Sequence, residues 1–427
     1  MNRTIDVFLC VCLLGALCPA QTQPPLAIQL ASGVKLKASD GVINDQFGSS
    51  VAISSNGNVV AVGAPGRNRS QGAAYVFVES GARWTSAIQT AELTVPGSDD
   101  EFGECVAISG NGDTVAVGTP GASAFQGAVY IFTATGGNPA NGYTQTAVLN
   151  AVPERDANFG CGLAISSDGE TVAVGGGLST NQYQGAIYVF TEPSTGWSGT
   201  LTPDATLTAS DGIAYQDLGN AVSISGNTIA AGAKDYPAGS GDPGAVYVFT
   251  KTGTTWISGT QTAKLTASDG AVFDQLGASV AISGNTIVAG APQHTVGANA
   301  YEGALYVFVE PATGGWIDAV QTAELTAANG AAGADLGDSV AISGTVVVGG
   351  AYCQQIGSNP CQGELFAYEK PKTGWINGTE TVDLTASGGN GGDELGYSSA
   401  MGGLVGVSGA RGYSTGAYRG AVYVFQK

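Results

Sequence analysis

Three features of the sequence predict an all-β chain folded as a seven-bladed β-propeller, with four antiparallel strands to a blade. The first is composition: 67 glycines, only 11% charged residues and a mean hydropathy of +0.13 describe turn-rich β structure. The second is a repeat, because Phe or Leu followed by Gly recurs seven times, at Gly48, Gly103, Gly160, Gly219, Gly277, Gly337 and Gly396, with spacings of 55 to 60 residues. The third is that each interval holds four short β-branched and aromatic runs separated by Gly, Asn and Pro signals.

The N-terminus precedes the repeats. Arg3, an apolar run from Val7 to Leu17, and Cys18-Pro19-Ala20 before Gln21 form the pattern of a secretory signal, with cleavage expected after Ala20. The run is too short for a permanent bilayer span. Residues 21–427 are then expected to form a single propeller domain, with units beginning near residues 47, 102, 159, 218, 276, 336 and 395.

The fifth unit shows the internal plan. A run from Gly277 to Ser283 leads through Gly284-Asn285 to Thr286–Gly290, then a loop, then Gly303–Val309, a Trp316 turn and Gln321–Thr326. The two-residue Gly-Asn connection is a tight hairpin signal. Along the first strand, Val51, Val106, Leu163, Val222, Val280 and Val340 share a face with Ile53, Ile108, Ile165, Ile224, Ile282 and Ile342. The opposite face holds Ala52, Ala107, Ala164, Ser223, Ala281 and Ala341. A bulky face against a small one lets each sheet stack on the next. The seventh unit ends on its third strand, Gly420–Phe425, and Gly33–Gly41 matches the missing fourth. The N-terminal strand is therefore expected to pair in the last blade and close the ring, removing open sheet edges.

With those residues assembled, the chain resembles the FG-GAP repeat family, of which integrin α-subunit propellers are members. Phe-Gly stands in three units and Leu-Gly in four. Gly-Ala-Pro stands at Gly63-Ala64-Pro65 and Gly290-Ala291-Pro292, nearly so at Gly118-Thr119-Pro120, and degraded in the other four. The resemblance implies a seven-bladed propeller used for extracellular adhesion or ligand binding. One departure concerns calcium, which needs about six to eight oxygen ligands. The first hairpins, such as Ser54–Asn58 and Ser166–Glu170, offer at most one or two carboxylates and later ones are shorter, so the family's calcium site is not carried over and no cofactor is expected.

A formal charge of −19, spread along the chain, repels nucleic acid and anionic membranes and suits solubility outside the cell. Only one histidine, His294, exists, which excludes multi-histidine zinc sites. It reads as a surface-loop residue. No nucleophile elbow accompanies it. Acidic residues recur in the connections between units: Asp40 with Asp45, Asp211 with Asp217, and Asp269 with Asp274. Two readings stand for them, turn capping by the side chain on its own backbone and a divalent cation shared between paired carboxylates.

Hairpin parity puts these connections on one rim with the loops between second and third strands, where the units differ most. Variable loops on a uniform scaffold mark the expected binding surface. Its candidate residues are Arg67, Arg69, Phe125, Tyr183, Tyr236, His294 and Tyr413. Five tryptophans recur at one phase after the third strand, with Tyr143 there in the second unit, and read as packing between blades. Asn68 and Asn377 lie in glycosylation sequons.

Four cysteines remain after signal removal, an even count that suits disulfides in an oxidising compartment. Cys353 and Cys361 share one loop and should bridge. Cys105 and Cys161 are a second candidate pair if the small face of the second blade points to the third. The expected function is that of a secreted, monomeric, non-enzymatic module, extracellular or periplasmic, binding a protein or glycan. The alternative is a hydrolase or lyase acting on polysaccharide through the connection-loop carboxylates.

Overall fold

The computed structural model describes residues 33–79, 81, 83–95, 101–122, 126–150, 158–176, 182–234, 243–386, 388–412 and 419–426. They form seven sheets arranged as a closed propeller. Blade 1 runs outward through Val51–Ile53, Val59–Ala64, Ala73–Val78 and Ala91–Leu93. The innermost strands of all seven blades, from Val51–Ile53 round to Ser399–Met401, line a central channel. Blade 7 is completed by Val34–Leu36, antiparallel to Val422–Val424, as the closure argument requires.

The sheets are larger than predicted in four blades. Gly199–Leu201, Gly259–Thr260, Ala319–Val320 and Gly378–Thr379 each add a fifth strand, parallel to the outer strand of the preceding blade. These short segments follow a tryptophan in the third-to-fourth loop, and all but Leu201 are exposed. Half-polar pairs such as Gly-Thr carry no alternating pattern, which is why periodicity misses them.

The two-faced first strand works as expected. Val51 and Ile53 pack with Val60, Val62, Tyr75 and Phe77 against Val407, Val422 and Val424 of blade 7. The other face of blade 1, with Val59, Ala61, Ala74 and Val76, receives Phe102, Val106, Ile108, Val115 and Val117 of blade 2. The tryptophans sit in these interfaces, buried to within 6% exposure. Trp84 and Trp197 donate their indole N–H to Gly57 and Gly169 carbonyls, and Tyr143 its hydroxyl to Gly112, all in five-residue first hairpins. Blades 4 to 6 have two-residue hairpins without that carbonyl, and Nε1 of Trp256, Trp316 and Trp375 has no partner among the described residues.

The marker motif has a physical basis in contacts between blades. The marker glycine has positive φ in every blade, +92° to +106°. In blades 1 to 6 the marker glycine's N–H donates to the carbonyl of the Gly of the Gly-Ala-Pro segment in its own blade, as in Gly48 to Gly63 at 2.9 Å, whereas in blade 7 Gly396 donates to Ser408 Oγ at 3.0 Å. Its own carbonyl lies where a Cβ on the preceding blade's Gly-Ala-Pro glycine would be, 1.9 Å away at Gly63 and Gly290 and 2.0 Å at Gly409, so no larger residue fits there. A parallel bridge joins the residue before each marker glycine to the glycine opening the previous third strand, and Phe47 with Gly420 completes the circuit. Serines reinforce the same seam. Ser50, Ser279, Ser339 and Ser398 donate to the next blade's marker carbonyl at 2.6–3.0 Å, the last of them across the closure to Gly48.

Cys105 occupies the equivalent serine position. Its thiol donates to the Cys161 carbonyl of the next blade, and both cysteines are free, so the second candidate disulfide is not formed. The facing condition itself holds, since Ala107, Ala116, Val129 and Ile131 of blade 2 pack on Phe159, Ile165 and Val172 of blade 3. Cys353 and Cys361 are bridged. Among the described residues no helix is long and apolar enough to cross a membrane. Residues 1–20, expected to be the signal, lie outside the described residues.

Candidate functional site

One rim gathers the connections between blades and the second-to-third loops. The two sets meet through backbone bonds: Glu101, Asp217, Asp335 and Glu394 donate N–H to the carbonyls of Ser70, Tyr183, Tyr301 and Cys361 at 2.8–3.1 Å. All four acceptors stand two residues before the glycine that opens a third strand, and all have positive φ, from 45° to 70°. The backbone there is a fixed part of the seam, while its side chain varies from Ser to Tyr to Cys. Each such position is a station on the rim at a blade boundary.

A second station lies four residues before the marker glycine, at Asn44, Tyr215, Phe273, Gly333 and Gly392, and every one has positive φ. Left-handed backbone favours Gly and Asn, and a bulky residue there is an outlier that costs roughly 1–2 kcal/mol. Three blades obey that preference. Blades 4 and 5 place Tyr215 and Phe273 there instead, 44% and 51% exposed. Tyr215 stacks on Tyr183, ring centroids 5.8 Å apart and 19° from parallel, and Tyr301 of blade 5 is 53% exposed. Ile213 and Val272 beside them are also exposed.

Of the residues expected to bind, Tyr183 joins this aromatic group. Arg69 lines a polar cleft of about 400 Å³ between blades 1 and 2, with Asn44, Gln46, Ser70, Glu101 and Glu104. Arg67 is not available in that way. Its guanidinium pairs with Asp40, donates to Tyr75 Oη at 3.1 Å and lies 4.0 Å from Asp45, with its side chain 14% exposed. Phe125, Tyr236 and Tyr413 lie outside the described residues. His294 is a correction, because it is 8% exposed and not a surface-loop residue. The polar character of its loop hides that the ring folds inward onto Tyr306, edge-on at 5.8 Å.

The acidic pairs divide. Asp45 and Asp274 accept N–H from Val42 and Ala271, three residues back, at 2.7 and 2.8 Å, which is the capping reading. Asp211 and Asp217 are not brought together: Asp211 meets Lys264 at 2.7 Å and the Tyr247 hydroxyl at 2.9 Å, whereas Asp217 lies 3.7 Å from Lys234. Gln216, not Asp217, fills the place that Asp45 and Asp274 take, donating to Tyr247 Oη at 2.6 Å. Desolvation opposes ionisation of Asp211, but Lys264 and Tyr247 outweigh it and hold the carboxyl below its ordinary value. Asp40 and Asp269 each accept from the third-strand tyrosine of their blade, Tyr75 at 3.2 Å and Tyr306 at 3.1 Å. In the first hairpins, the oxygens of Asn56, Asn111 and Asp168 accept from the loop's own Ser hydroxyl and backbone N–H.

Sequence reasoning passed over Tyr215, Phe273 and Tyr301. The signal was present for two of them, since Tyr215 and Phe273 are aromatic residues inside Gly- and Asp-containing connections where turn chemistry asks for small polar ones.

No curated protein sequence matches the chain. The FG-GAP repeat matches it five times, at residues 32–77, 90–132, 202–249, 260–308 and 319–368, more than half of its length. Each match takes in the outer strand that precedes a marker and ends on the third strand, and the first spans the N-terminal closing strand. The unmatched third and seventh units, whose Gly-Ala-Pro segments are Gly175-Gly176-Gly177 and Gly409-Ala410-Arg411, are blades of the same build. The seam that makes both halves of the motif necessary thus runs the whole way round the ring, and the chain belongs to the FG-GAP repeat family.

Proposed function

We propose that the protein is a secreted, non-enzymatic binding module whose recognition surface is the aromatic part of the rim over blades 3 to 5. The observation that carries this reading is Tyr215 and Phe273 standing exposed at left-handed backbone, where sibling blades have Asn44, Gly333 and Gly392. Backbone strain of this kind persists where a side chain is needed for something other than stability. Exposed aromatic rings offer large contact area with few torsions to freeze. The N-terminal signal pattern and the Cys353–Cys361 bridge support export to an oxidising compartment. Expression of the full chain in a secreting host, N-terminal sequencing and a combined glycan and protein array test the reading. A mature terminus at Gln21 and saturable binding to one ligand class are expected. An unprocessed intracellular protein, or release of reducing ends from the arrayed glycans, overturns it.

A further inference from the structure

Blades 1, 4 and 5 build one pocket from equivalent positions, and they fill it differently. It lies between the connection entering the blade, the second-to-third loop and the outer half of the sheet. In blade 1 a fixed cation occupies it, Arg67, against Asp40 and Tyr75. In blade 4 the cation is Lys264, paired with Asp211 and placed beside Tyr247 by strand register. In blade 5 both cationic positions are changed. His294 stands where Arg67 stands, four residues after the Gly-Ala-Pro glycine, and Glu324 faces Tyr306 in the register where Lys264 faces Tyr247. Among the described residues no lysine or arginine pairs with Asp269, Asp274 or Glu324, so three carboxylates surround one imidazole.

The donors of that pocket converge. One ligand atom each from Asp269, His294 and Glu324 lie within 4.8 Å of one another. Asp274 Oδ2 sits 2.8 Å from His294 Nδ1 and so orients the ring, leaving Nε2 without a hydrogen bond among the described residues and 3.8 Å from Glu324 Oε1. A carboxylate behind an imidazole, turning its far nitrogen toward two further carboxylates, is the outer support that metal-binding histidines use. Tyr306 fixes Asp269 in turn through its hydroxyl.

We infer that Asp269, His294 and Glu324 bind one divalent transition-metal ion, zinc in particular, through His294 Nε2 and an oxygen of each carboxylate, with Asp274 as the positioning residue. One imidazole and two carboxylates suit zinc and leave a coordination position open. Calcium needs about six to eight oxygens, which this donor set does not supply. Closing the donors by about 1 Å brings them to the separations that metal bonds of about 2.0–2.2 Å require. This site lies apart from the first hairpins and is independent of the rim reading.

Calorimetry with zinc on the chelator-treated full-length protein tests the inference. One zinc per chain is expected, with Kd tighter than ~10 µM, and cobalt in its place should give visible absorption. His294→Arg and Glu324→Lys install the cations of blades 1 and 4, so both should keep the wild-type fold and lose at least ~100-fold in affinity, while Asp274→Asn loses ~10–100-fold. Excess calcium should not compete. Absence of zinc uptake by the wild type, or undiminished uptake by folded His294→Arg or Glu324→Lys, overturns the assignment; if one variant fails to fold, the other decides.

Discussion

At the scale of single residues, the molecule separates backbone demands from side-chain choices. Tyr215 and Phe273 carry a conformation that asparagine adopts in blade 1 at the same station. Tyr215→Asn and Phe273→Asn should therefore leave the protein as stable as wild type or raise stability by up to ~1 kcal/mol each, read by urea midpoints at unchanged slope. A loss above ~1 kcal/mol would show that these rings pack and are not spare for recognition. His294 gives a pH dependence of opposite origin. Its hydrogen bond to Asp274 raises its pKa against the burial that lowers it, with Asp269 and Glu324 adding to the rise. A raised folded value means that its stabilisation is complete below about pH 6.5 and is lost as pH rises through the folded pKa. In chelator, the wild type should lose stability across that window, and His294→Gln, which copies Gln354 of blade 6, should be flat there. Equal slopes for the two proteins would contradict the contact.

At the scale of elements, the blade interfaces give two contrasts inside one chain. Trp84 and Trp316 occupy equivalent, buried places, but only Trp84 finds a hairpin carbonyl for its N–H. Trp84→Phe should cost about 1 kcal/mol more than Trp316→Phe, the worth of one buried hydrogen bond; equal costs would mean the N–H of Trp316 is satisfied by water. The loops of blades 5 and 6 make the same two-residue bridge, Val296 with Asn299 and Ile356 with Asn359, although only blade 6 has a disulfide. The fold of that loop does not need the bond. Cys353→Ser with Cys361→Ser should lower stability by no more than ~2–3 kcal/mol, the chain-entropy value for so short a loop, without change in the loop's exchange-protected amides. Strands one to four were legible because each is a β-branched or aromatic run bounded by turn residues. The fifth strands were not, since pairs such as Gly259-Thr260 gain their partner only from the neighbouring blade.

At the scale of the whole molecule, repetition made the ring legible and hid the site. Seven glycines at near-constant spacing identify a propeller, and the match of Gly33–Gly41 to the outer strands of the other units points to Val34–Leu36 as the closing strand. The same repetition made Asp40, Asp211 and Asp269 look alike, although each meets a different partner that only the folded blade brings beside it: Arg67, Lys264, and the His294 and Glu324 pocket. His294 was misread for a related reason, since burial of a loop residue depends on the blade beneath it. What varies against this uniform frame is the set of stations at blade boundaries, and the central claim is that those over blades 3 to 5 recognise the ligand. The most direct test is the affinity of a Tyr183→Ser, Tyr215→Asn, Phe273→Asn, Tyr301→Ser variant for the best array ligand, measured beside its melting curve. The account predicts at least a ~100-fold loss of affinity, the sum expected from several aromatic anchors, with a melting temperature no lower than wild type; binding retained within a few-fold by that variant would contradict it.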